Sequence, residues 1–149
     1  MREIQAPEFY PTADVFLAGG ILGADNWQPR AVELLSPYPG TLYNPRRKEP
    51  FVRDMQQAQV EWEFNGLRNA KSIIFWFPPE TLCPITLFEL GVWLGTDKPI
   101  FVGTHPNYAR RLDVEIQTSL VRKDLIVHST LEDVITDFVE TQISSSQRD

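Results

Sequence analysis

One charged side chain stands in the middle of an otherwise apolar helical stretch. In PITLFELGVWLGT, residues 84–96, Glu89 is flanked by Phe88 and Leu90, with Leu87, Val92, Trp93 and Leu94 nearby. A carboxylate taken out of water costs on the order of several kcal/mol unless it is paired, hydrogen-bonded or protonated. Held that way in a cleft, such a group can act as a nucleophile or move protons. The plainer alternative is a solvated Glu89 on an exposed helix side with Thr86 and Thr96. Helical periodicity alone leaves these two readings level.

Other residues admit both a chemical and a structural reading. Arg46-Arg47-Lys48 could grip a phosphate, or form a solvated loop. Gly19 and Gly20 could let a ligand approach the backbone, or simply make a tight turn. Trp27 and Trp76 could stack on a flat ring, or belong to the core. Cys83, beside Pro84, reads most simply as a small buried side chain. The segment GGILG is neither a P-loop nor G-x-G-x-x-G, which argues against an NAD or ATP site. G-x-S-x-G is absent, and no Ser/His/Asp order stands out. His105 and His128 lie in separate segments and no Cys/His pair has ligand spacing, so no metal site is expected.

Composition narrows the class further. The chain has 149 residues, 42% hydrophobic and 23% charged, with a formal net charge of −6. That length fits one domain, 1–149, with an adequate core. The acidic balance argues against binding a nucleic-acid polymer, although a small nucleotide or nucleoside needs only a local cluster. No apolar run reaches membrane-spanning length, and the N-terminus lacks the apolar core of a signal peptide. A single cysteine fits a reducing cytoplasm.

Five segments read as strands: 14–21, 41–45, 72–78, 99–105 and 125–129. Between them lie helical patterns. One runs from about Trp27 to Leu35, capped by Asp25 or Asn26. A second spans about Phe51 to Ala70, with Val60, Phe64, Leu67 and Lys71 on one face. The third holds Glu89 and starts at Pro84; the others are RLDVEIQTSL (111–120) and LEDVITDFVETQ (131–142). The tail SSSQRD is expected to fray. This alternation predicts an α/β fold: a flavodoxin-like, doubly wound, five-stranded parallel sheet in the order 2-1-3-4-5, with helices on both faces.

Ligands of such sheets sit beyond the carboxyl ends of the strands, where the strand order reverses. Those ends carry Gly19-Gly20, then Tyr43-Asn44-Pro45-Arg46-Arg47, then Phe77-Pro78, then His105. Glu89 lies about a turn and a half into its helix, and its side chain leans back toward that edge. His105, Asn107 and Tyr108 fall at the rim.

Taken together, FLAGGI, NWQ, YNPRR, WEFNGLRNA, IIFWFP and FELG resemble the nucleoside 2-deoxyribosyltransferases and their relatives, roughly from Val15 to the fourth strand. The resemblance implies that Glu89, in FELG, is the nucleophile, and that Glu63, 26 residues earlier, is a second carboxylate facing it. Helical phase is consistent with this, since Glu63 shares a flank with Gln56, Leu67 and Ala70; a solvated Glu63 beside Arg68 and Lys71 is the alternative. Asn44 and Arg46 would line the sugar and base pocket. Two positions depart from the family pattern: Phe16 stands where a tyrosine would hold the nucleophile, and Cys83 where an aspartate would handle the base. Tyr43 could replace the missing hydroxyl.

The implied enzyme cleaves the N-glycosidic bond of a 2′-deoxynucleoside through a glycosyl-glutamate and passes the sugar to another free nucleobase, without a cofactor. A homodimer or larger homo-oligomer is implied as well. Two alternatives remain open: an N-glycoside hydrolase of nucleosides or nucleoside 5′-monophosphates, and a non-catalytic nucleotide-binding module.

Overall fold

A computed structural model describes residues 1–148. In chain order the elements are β1 (Arg2–Gln5), β2 (Val15–Gly19), α1 (Gln28–Leu35), β3 (Thr41–Asn44), a 3-10 turn (Arg53–Met55), α2 (Gln56–Asn69), β4 (Ile73–Phe77), α3 (Pro84–Leu94), β5 (Ile100–Thr104), α4 (Arg111–Val121), β6 (Val127–His128) and α5 (Leu131–Ser146). The strands form one parallel sheet in the order β1-β3-β2-β4-β5-β6. This corrects the anticipated five-stranded 2-1-3-4-5 sheet. The additional strand is the N-terminal segment, paired to β3 from Arg2↔Thr41 through Gln5↔Asn44. As an edge strand it buries only Ile4 fully, so its sequence REIQ carries no apolar run.

The central strands are buried on both faces, which is why β2, β4 and β5 are almost wholly apolar. Val15 and Leu17 of β2 face a core shared with α1 and α5. Phe16 and Ala18 face the other core, built with α2, α3 and α4. Helices thus cover both sides of the sheet. Among the described residues no helix is long and apolar enough to cross a membrane.

Several element details differ from expectation. No side chain caps α1; Trp27 occupies the N-cap position, and Asp25 and Asn26 lie outside it. The α5 helix runs through Ser144–Ser146, so part of the expected frayed tail is helical, while Asp149 lies outside the described residues. The strand around 125–129 shrinks to Val127–His128.

The largest difference is the rotation of α2. Of the residues grouped on one face, Leu67 is buried but Val60 and Phe64 are each 56% exposed, and Gln59 and Gly66 are buried beside Leu67. Gly66 is the pivot: a Cβ there would come within 2.7 Å of the Phe16 ring, so only glycine lets the helix sit this close to β2. Trp62 completes the contact. Its ring packs against Phe16 and Tyr43 with centroids 5.9 and 5.6 Å away, and its indole N–H donates to the Glu8 carbonyl at 2.8 Å. Turned this way, α2 directs Gln59 and Glu63 inward.

The C-terminal ends of α2 and α3 are tied down by cations from elsewhere. Lys98 Nζ donates to the carbonyls of Leu67 and Arg68. The Arg122 guanidinium donates to the carbonyls of Leu94 (3.0 Å), Lys98 (2.9 Å), Trp93 (3.1 Å) and Thr96. Carbonyls at a helix end lack intrahelical partners and carry partial negative charge, so cations satisfy them well. The two helices bearing Glu63 and Glu89 are thereby locked to the same corner of the molecule.

Candidate active site

Glu89 lies in the second turn of α3, after a cap whose residue, Cys83, adopts a left-handed conformation (φ 49°). The side chain is largely buried. Burial, reinforced by the charge of Glu63, pushes its carboxyl up to about 8. Glu63 is raised too, chiefly by burial, but a hydrogen bond from Gln59 and the charge of Arg47 hold it back. Glu63 is therefore the carboxyl that ionises first, and its charge is what opposes ionisation of Glu89. At neutral pH Glu89 keeps its proton. This is the answer to the buried charge in PITLFELGVWLGT: Glu89 is held near a second carboxyl and kept protonated.

A fixed polar chain supports Glu63. Arg47 Nε donates to Gln59 Oε1 at 2.6 Å, and Gln59 Nε2 donates to the Pro45 carbonyl at 2.8 Å and to Glu63 Oε1 at 3.0 Å. Gln59 escaped sequence reading. Its one signal is its place a single helical turn before Glu63, on the same face.

The other anticipated site residues are mostly built into the fold. Trp27 packs in the α1/α5 core, and its indole N–H donates to the Gly20 carbonyl at 3.0 Å. Of the two readings of these residues the structure places Trp27 in the core, and Trp76 is likewise in the core. Gly19 leaves room for the Trp27 ring and the Trp76 carbonyl, and a Cβ at Gly20 would come within 2.8 Å of Cys83 Sγ. Both glycines thus serve close packing. Tyr43 is buried against Phe16, and its hydroxyl donates to the Tyr10 carbonyl, so it does not replace the hydroxyl missing at Phe16. Phe77 is fully buried, its ring 5.1 Å from that of Tyr108. Tyr108 is buried as well, donating to the Leu82 carbonyl at 2.7 Å, so it braces the segment before α3 and is not a rim residue.

Asn44 and Arg46 also have structural partners. Asn44 Nδ2 donates to Glu3 Oε2 at 2.7 Å, and its Oδ1 accepts the Arg46 N–H at 3.0 Å. The Arg46 guanidinium donates from Nε to Gln28 Oε1 at 2.9 Å, and from Nη2 to the carbonyls of Ile21, Ala24 and Asp25 at 3.1, 3.3 and 3.2 Å. It staples the β2–α1 loop to the end of β3. Gln28, also missed in the sequence, is fully buried, and its Nε2 has no partner among the described residues. His105 keeps its place at the carboxyl edge. Its Nδ1 accepts the Asn107 N–H at 3.0 Å, which puts the proton of the neutral ring on Nε2.

Burial lifts the Cys83 thiol to about 11, so this position carries no charge at neutral pH. Two surface grooves, of about 310 and 420 Å3, lie along α5 and border neither Glu63 nor Glu89. The chemistry of the carboxyl pair, not groove size, marks the site. Among the described residues no three His, Cys, Asp or Glu side chains gather as a metal site.

A parallel sheet with two buried carboxyls of unlike proton affinity near its carboxyl edge has the equipment of a glycosidic-bond enzyme. A family model described as "Nucleoside 2-deoxyribosyltransferase like" matches residues 12–108, well over half of the chain and a span that includes Glu63 and Glu89. The chain belongs to that family. None of the curated proteins compared with it matches significantly.

Proposed function

We propose that the protein is a nucleoside 2-deoxyribosyltransferase, with Glu89 as nucleophile and Glu63 as the proton-transfer group. The observation that carries this reading is two largely buried carboxyls close enough for the charge of one to oppose ionisation of the other, with Glu63 held by Gln59 and Arg47 behind it. Cleavage of an N-glycosidic bond builds positive charge on the sugar. That charge favours the ionised form of Glu89 beneath the anomeric carbon and leaves the pair's proton for the departing base.

With substrate bound, the Glu89 proton passes to Glu63, leaving Glu89 ionised; as the C–N bond breaks, its electron pair goes to the base nitrogen, which takes that proton from Glu63. A Glu89 oxygen then bonds to the anomeric carbon. A second base, losing its proton to Glu63, attacks that carbon and releases the Glu89 carboxylate. Two inversions give net retention. No cofactor enters these steps.

The bound guanidinium of Arg46 counts against a 5′-phosphate grip at that residue, and so against the monophosphate-hydrolase alternative as framed on it. A homo-oligomer accords with the exposed Val60 and Phe64 of α2, Ile85, Phe88 and Val92 of α3, and Leu112, Ile116 and Leu120 of α4. Of these helices α2 and α3 carry the carboxyl pair, and apolar exposure on this scale marks partner surfaces. A cytoplasmic setting suits the single free thiol.

The test is to mix the protein with a 2′-deoxynucleoside and a different free base and follow products by chromatography, beside a Glu89→Ala control. A new deoxynucleoside, lost in the control, is expected. Free base without exchange would make the protein a hydrolase. Silence with every nucleoside and monophosphate would leave a binding module.

A further inference from the structure

We infer that Gln59 is a positioning residue, clamped by Arg47 and the Pro45 carbonyl, that fixes which oxygen of Glu63 carries the proton. The inference rests on the reading of Glu63 as the proton-transfer group, and it follows from what each partner can and cannot do. A guanidinium only donates, so the amide oxygen of Gln59 must face Arg47 Nε, 2.6 Å away. A proline carbonyl only accepts, so the amide nitrogen must face Pro45, at 2.8 Å. One amide hydrogen remains, and it goes to Glu63 Oε1 at 3.0 Å.

Rotating the amide by half a turn would set its NH2 against the guanidinium and its carbonyl against that of Pro45. All three bonds would be lost in a buried place, where unpaired polar groups are costly. The orientation is therefore locked. Glu63 Oε1 is permanently an acceptor, so a proton taken up by Glu63 goes to Oε2, which has no hydrogen-bond partner among the described residues.

The clamp also sets the strength of the acid. The charged and titratable groups acting on Glu63 are Arg47, reached through Gln59 from the loop after β3, and Glu89 from α3. A cation in direct contact would hold Glu63 ionised and useless as a proton donor. A neutral amide between them passes on one hydrogen bond and keeps the cation a side chain away. Gln59 thus lets Glu63 ionise before Glu89 while leaving it able to take a proton back.

The experiment titrates the Glu63 carboxyl by 13C NMR in the wild-type protein, in Gln59→Met and in Arg47→Met, and records pH profiles of base exchange for the same three proteins. Both replacements remove something that favours the charged form. The Glu63 midpoint is therefore expected to rise in each, more in Gln59→Met, and the acid limb of the pH profile to move up with it. In Gln59→Met, kcat should fall on the order of 10- to 100-fold with KM within about threefold, as misplacement of a reacting group would give.

Should Gln59→Met fail to fold, Arg47→Met, whose side chain is only half-buried, carries the test. A Glu63 midpoint that stays put in the folded variants overturns the inference, whatever the activity. A midpoint that rises in a protein with no glycosidic activity upholds the clamp and overturns instead the proposed reaction.

Discussion

Glu89→Gln should make the protein more stable above neutral pH and leave it nearly unchanged in acid. The folded chain holds this carboxyl near 8, against an ordinary value of 4.5. At about 1.4 kcal/mol per pH unit, the gap corresponds to an upper limit of roughly 5 kcal/mol. Glu89 keeps some contact with solvent, which brings the expected effect to about 2–4 kcal/mol.

The sign follows from linkage. Below about pH 4.5 the carboxyl is protonated in both folded and unfolded chains. Between 4.5 and 8 only the unfolded chain ionises, which favours unfolding; above 8 both are charged and the loss is complete. A neutral glutamine removes this dependence. The assay is urea unfolding followed by the fluorescence of the four tryptophans, at fixed protein concentration, from pH 4.5 to 9. The stability difference between variant and wild type should be level at the acid end, grow toward pH 8 and then flatten, equivalent to about 5–15 °C in Tm. A difference that is the same at every pH would refute the reasoning, because Glu89 would then be an ordinary solvated carboxylate.

Three further outcomes follow from the same structure. The base-exchange rate should be bell-shaped in pH, since the pair must hold one proton, with its alkaline limb near 8; in Glu63→Gln the like charge is gone, and Glu89 should titrate lower by 13C NMR. Arg122→Met removes the guanidinium donor from the carbonyls of Trp93, Leu94 and Lys98 and should cost about 2–3 kcal/mol in urea unfolding, with Arg122→Lys recovering only part because it lacks the planar fork.

What the sequence made legible was governed by burial. Strands β2, β4 and β5 are apolar on both sides and were readable as runs, whereas REIQ, buried at one position on an edge, looks like any polar segment. Glu89 was conspicuous because a lone charge among apolar neighbours demands a partner. Its environment was not, because the rotation of α2 defeats simple patterning: Val60 and Phe64 face outward, and a glycine and a glutamine face in.

Arg46 illustrates the other limit. A basic loop after the second strand was visible, but its guanidinium binds three carbonyls of the β2–α1 loop, and no sequence pattern shows where those carbonyls point. Trp27 and Tyr108 are similar cases. Each carries a polar tip that satisfies a backbone carbonyl inside the fold, and no sequence pattern shows which carbonyl it meets.

The most direct test of the account is to look for the covalent intermediate. The protein, mixed with a 2′-deoxynucleoside and no acceptor base, is quenched in acid and digested, and the peptide containing Phe88-Glu89-Leu90 is examined by mass spectrometry. The account predicts a deoxyribosyl ester on Glu89, discharged when a second base is added before the quench and absent in Glu89→Ala. Turnover with that peptide unmodified at every quench time, or with the adduct on Glu63 instead, would contradict the assignment of Glu89 as the nucleophile.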